Sequence, residues 1–64
     1  MENVITACLA EGLNLRTMAR NQFNGHAALE IAKAQNIPSS EVLATLDALG
    51  YCPITIQYLK EVYA

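Results

Sequence analysis

The 64 residues leave room for one domain and no second, and a chain this short buries only about 60% of the surface its unfolded form exposes, so it is marginally stable without help. Help comes from composition: 53% of residues are hydrophobic and only 16% are charged, against roughly 25% in an ordinary soluble domain, so either the helices pack very tightly or part of the apolar surface is covered by a second copy or a partner. The net charge of −2 withholds the basic surplus from which a free-standing nucleic-acid binder draws its affinity, without supplying the acidic runs of a nucleic-acid mimic.

Breaker residues divide the chain into five short segments, each with the spacing of a helix face. In the first, Val4, Ile5, Cys8 and Leu9 recur at i, i+3 and i+4, Asn3 can cap the start, and Gly12 ends it where a left-handed residue is wanted. Asn14 can cap the second, whose inward stripe is Leu15, Met18, Ala19 and Phe23, with Arg16 and Arg20 together on the solvent side. The pair Asn24-Gly25 reads as a stop. The third runs from Ala27 to Gln35, burying Ala28, Leu29, Ala32 and part of Ile31. Asn36 follows where a left-handed residue is needed, and asparagine tolerates that conformation better than most residues. Ile37 then points inward. Pro38 suits the start of the fourth segment, with Ser39 or Ser40 accepting from its free amides and Val42, Leu43, Leu46 and Leu49 forming its apolar face. Gly50 closes it. Cys52-Pro53 opens the fifth, with Ile56, Leu59, Val62 and Tyr63 as its stripe. No stretch alternates with period two. The expected fold is all-α: one compact bundle, spanning 1–64, of four to five short helices containing a helix-turn-helix-like pair.

The opening MENVITACLAEG has no Lys or Arg and an interrupted apolar run, unlike a secretory leader. No run approaches the ~18 apolar residues of a membrane span. The expected compartment is therefore the cytoplasm, where Cys8 and Cys52 are read as free, buried, small hydrophobes. A metal site needs more ligands than two cysteines and a single His26, which is read as a capping or surface residue. Gly12, Gly25 and Gly50 are isolated, so there is no phosphate loop. No nucleophile has a base at a suggestive spacing. The expectation is a non-enzymatic protein without a cofactor.

The run Ile31-Ala32-Lys33-Ala34-Gln35-Asn36-Ile37-Pro38-Ser39-Ser40-Glu41-Val42-Leu43 resembles the helix-turn-helix of bacterial regulators. The likeness lies in small Ala32, a left-handed turn residue at Asn36, then an aliphatic, a cap and Val42. Residues 26–51 are also similar to the helical repeat in the N-terminal region of bacterial translation initiation factor two, with Leu49-Gly50 as the closing pair. The regulator resemblance implies that the fourth segment enters the major groove and presents Ser39, Ser40, Glu41, Ala44, Thr45 and Ala48. That set lacks the Arg, Lys, Asn or Gln of bidentate base contacts, and Glu41 and Asp47 would face phosphates.

Two functions follow. The leading one is a small cytoplasmic binding or regulatory protein that acts through a protein–protein interface, as a homodimer or in a heteromeric complex. Its contact residues would be Thr45, Ala48, Tyr51, Tyr58 and Tyr63, because a tyrosine at an interface buries its ring while keeping a hydrogen-bonding tip. The alternative is a dimeric DNA-binding regulator of the phage, plasmid or bacterial kind, using Arg16, Arg20 and Lys33 on phosphates and Ser40 and Thr45 in the groove.

Overall fold

The computed structural model describes residues 1–63. Among these it has four α-helices, α1 (Glu2–Ala10), α2 (Gln22–Ala34), α3 (Ser39–Ala48) and α4 (Pro53–Val62), and no strand. Helices α2 and α3 each touch all three others, α2 the more extensively. The sequence of α2 explains why: Gly25, Ala28 and Ala32 lie on one face and are buried, and small side chains there let neighbouring backbones approach closely. Around that face gather Val4, Ile5 and Cys8 of α1, Val42 and Leu46 of α3, Leu59 of α4, and Leu15 and Tyr51 from the connections.

Three of the helices end in the same way. Gly12, Asn36 and Gly50 have positive φ of 84°, 61° and 98°, and the amide of the next residue reaches back five positions. Leu13 donates to the Cys8 carbonyl (2.9 Å), Ile37 to Ala32 (2.9 Å) and Tyr51 to Leu46 (3.1 Å). This is the Schellman closure, in which a left-handed residue lets the chain satisfy the last carbonyls and turn an apolar residue inward. Leu13, Ile37 and Tyr51 are those apolar residues, and all three pack on the core. The ends at Gly12, Asn36 and Gly50 therefore fall where the residues predict.

Helix starts depart from expectation. The predicted second helix does not form: residues 11–21 are a connection with a single turn in it. Asn14 does start that turn, its side chain accepting from the Arg16 amide (3.1 Å) and its carbonyl from Thr17 and Met18, but the turn stops there. A second asparagine takes over. Asn21 is extended (φ −118°, ψ 170°) and its Oδ1 accepts the Asn24 amide at 2.9 Å, which is N-cap geometry. Asn24 in turn ties the connection down by donating to the Ala19 carbonyl (2.7 Å).

Asn24-Gly25 is therefore the first turn of a helix and not a stop. Gly25 allows a close approach: a Cβ there would stand 2.5 Å from Leu59 Cδ1 and 3.4 Å from Tyr51 Cε2. Leu15 reaches the core from the connection, as expected of it, whereas Phe23 is 74% exposed.

Smaller corrections follow the same rule. Helix α1 already begins at Glu2, so Asn3 does not cap it. Helix α3 has Pro38 at its N-cap and no side-chain cap, so neither Ser39 nor Ser40 plays that part. Helix α4 opens with Pro53 at its first position, as predicted. Both cysteines are free, but Cys52 is exposed and only Cys8 is buried, where burial pushes its thiol pKa up.

Candidate functional site

Helix α4 carries apolar side chains on two sides. Its inner side presents Leu59, fully buried, with Ile56 and Tyr63 half-buried beside it. Its outer side presents Ile54, Tyr58 and Val62 at i, i+4 and i+8, which are 79%, 47% and 50% exposed. At 100° per residue these three fall in one arc roughly opposite Ile56, so the row follows from the helix itself. Phe23 in the first turn of α2 lines a shallow depression together with Gln22, His26 and Tyr58. A second depression continues along α4 over Pro53, Ile54, Gln57, Tyr58 and Glu61. The four large apolar side chains thus form one outward patch edged by Gln57 and Glu61, which are hydrogen-bonded to each other at 3.1 Å. Apolar patches rimmed by polar residues mark interaction surfaces.

The five residues expected to make contacts are distributed differently. Tyr58 is exposed and sits at the centre of the patch. Ala48 is exposed on α3. Thr45 is not at the surface: it is 2% exposed, and its hydroxyl donates to the Glu41 carbonyl one turn back (2.9 Å), which satisfies a polar atom inside a helix bundle. Tyr51 is not at the surface either. Its ring is in the core and its hydroxyl donates to the Asn21 carbonyl at 3.1 Å, while burial pushes its pKa up against a smaller opposing pull from Arg20.

Tyr63 is half-buried and clamps the end of α4 to α2. Its hydroxyl donates to Glu30 Oε2 at 2.8 Å. With its one proton given away, the hydroxyl accepts from the His26 ring, whose nitrogens lie 3.0 Å off, the two rings tilted with centroids 5.2 Å apart. Burial first, then the hydrogen bond to Glu30 and its charge, push the Tyr63 hydroxyl up to about 12. His26 is thus an exposed partner of Tyr63 within α2 and not a helix cap.

The cations expected on one solvent face are separated by the loss of the predicted second helix. Arg16 pairs with Glu2 of α1 at 3.0 Å, both side chains well exposed, an arrangement worth little in water. Arg20 Nε donates to the carbonyl of Leu49, the C-cap of α3, where a cation meets the negative end of the helix. Lys33 is exposed in the last turn of α2. Ser40 is exposed and lines a groove between α3 and α4 floored by Leu43, Ala44, Pro53 and Ile56. With Thr45 buried, the five residues of the DNA reading do not gather on one surface.

Among the described residues no three His, Cys, Asp or Glu side chains are grouped to hold a metal ion, and no helix is long and apolar enough to cross a membrane. No family model, no curated protein and no solved structure matches the chain. Phe23, Ile54 and Val62 are the patch residues that sequence reasoning missed. Ile54 was legible on the helical wheel of α4, whereas the spacing puts Phe23 on the inward stripe of a helix that does not form and Val62 on the inward stripe of α4, where it is 50% exposed.

Proposed function

We propose that this chain is a small non-enzymatic binding protein that works through a protein–protein interface, and that the outer face of α4 together with Phe23 is that interface. One observation carries the reading: Ile54, Tyr58 and Val62 form a continuous apolar row that the fold leaves 47–79% exposed. The same helix already has a complete inner face, so this row is not required for folding. A cytoplasmic setting belongs to the proposal, since two free thiols suit a reducing compartment.

The alternative of a helix-turn-helix DNA regulator has less support. The connection between α2 and α3 does carry a left-handed Asn36, but Arg16 and Arg20 are engaged within the fold. The two readings separate by light scattering after size exclusion, with and without a short random DNA duplex at low and physiological salt. The interface reading expects association that ignores the duplex and weakens in Tyr58→Ala by about 2 kcal/mol or more, the loss typical of an aromatic anchor. A salt-sensitive shift with DNA that persists in Tyr58→Ala would overturn it.

A further inference from the structure

We infer that the occupant of the α4 face is a second copy of the same chain, docked antiparallel about a two-fold axis that passes beside Tyr58. This rests on the reading of that face as a docking surface and specifies what covers it. Three observations favour a copy of this chain over another partner.

The first is the order of residues in the row. Ile54, Tyr58 and Val62 read β-branched aliphatic, aromatic, β-branched aliphatic in either direction. A two-fold axis at Tyr58 reverses the row, so Ile54 of one copy meets Val62 of the other, and the two Tyr58 rings meet in offset contact. Each contact is then apolar against apolar of matching shape.

The second is charge. The chain carries a net −2, but α4 holds one cation, Lys60, and one anion, Glu61. In an antiparallel pair centred on residue 58, Lys60 lies away from the contact, with Ile56 in the groove toward α3, and Glu61 faces the region of residue 55 in the other copy. Neither meets its own like charge. Only the uncharged Tyr58 sits on the axis, where a residue is forced to meet itself. Antiparallel alignment also sets the helix dipoles in their favourable sense.

The third is area. At the observed exposures, and taking large apolar side chains at roughly 150–200 Å² each, the four patch residues offer roughly 450 Å² per copy. A standard interface covers about 800 Å² per partner, of which about 57% is apolar, or again roughly 450 Å². The patch therefore suffices in area for a small dimer interface.

The pairing dictates a test by sedimentation equilibrium on four forms of the full chain: wild type, Ile54→Glu, Val62→Lys, and the double Ile54→Glu/Val62→Lys. Both positions are exposed in the monomer, and each new charge suits its end of the helix dipole, so folding is retained and is checked by circular dichroism. The wild type is expected to dimerise, each single variant to dissociate roughly tenfold or more readily, and the double variant to recover much of that loss. Recovery is specific to antiparallel pairing, because a parallel pair would set Glu on Glu and Lys on Lys. A wild type that stays monomeric at millimolar concentration overturns the second-copy inference alone, leaving the face open to a different partner. Dimers unaffected by any of the changes overturn both the inference and the reading of the face. A dimer lost in both single variants and not recovered in the double overturns the antiparallel arrangement.

Discussion

The two sides of α4 are both apolar, yet one is complete and the other is not. On the inner side, Leu59 reaches so close to α2 that a Cβ at position 25 would stand 2.5 Å from its Cδ1, and Tyr51 fills the space alongside with its hydroxyl satisfied by the Asn21 carbonyl. On the outer side, Ile54, Tyr58 and Val62 have similar size and chemistry but stand in water. The contrast separates two uses of one residue class. Apolar side chains that hold this fold are recognisable by what is matched to them across the contact, and those that are merely presented have no such match.

The sharpest way to break that contrast is truncation on each side. Leu59→Ala is expected to lower unfolding free energy by about 2–5 kcal/mol, the range for a buried leucine whose cavity relaxes only in part. Ile54→Ser should stay within about 0.5 kcal/mol when measured under conditions where the chain is monomeric. Chemical denaturation of both variants checks the pair, and equal losses would erase the distinction.

Next in size is the comparison of tyrosines. Tyr51→Phe removes one of the two donors on the Asn21 carbonyl, the Gly25 amide remaining at 3.1 Å, and should cost about 1 kcal/mol, whereas Tyr58→Phe should leave monomer stability unchanged.

A smaller effect concerns the Tyr63 clamp at the end of α4, where His26, Glu30 and Tyr58 surround the hydroxyl. The folded pKa is raised from 10 to about 12, so the protonated hydroxyl is favoured by folding. Its contribution is full below pH 10 and fades as pH rises toward 12. Tyr63→Phe should therefore flatten the alkaline loss of stability in that window, as read by thermal unfolding at pH 9 through 12.

The smallest expected change is Asn36→Gly. At φ 61° glycine is as comfortable as asparagine, so the variant should be neutral or slightly stabilising. A loss above about 1 kcal/mol would contradict the turn.

The left-handed helix ends at Gly12, Asn36 and Gly50 were legible, as was the start of α4 at Pro53, whereas the start of α2 was not, for a physical reason. A left-handed residue is a local requirement, which Gly12, Asn36 and Gly50 announce by type. A start is a competition: Asn14 and Asn21 both offer a side-chain oxygen, and each does accept a backbone amide. What decides between them is tertiary: the helix capped by Asn21 carries Gly25 in its first turn, against Leu59. The same holds for the expected contact residues. Nothing local distinguishes buried Tyr51 from exposed Tyr58, since the Asn21 carbonyl that makes its burial tolerable is brought into place only by the fold, whereas the hydroxyl of Thr45 is satisfied within its own helix by the Glu41 carbonyl. All-α architecture, the α2–α3 connection and most of the core face were readable from periodicity, which depends on the chain alone.

The measurement that bears most directly on the account is a set of amide ¹H–¹⁵N spectra recorded across a concentration series. If the outer face of α4 is the docking surface, the resonances that move with concentration will belong to residues 53–62 and 22–26, and those of α1 will stay fixed. Shifts centred instead on α1 or around Lys33 would contradict it.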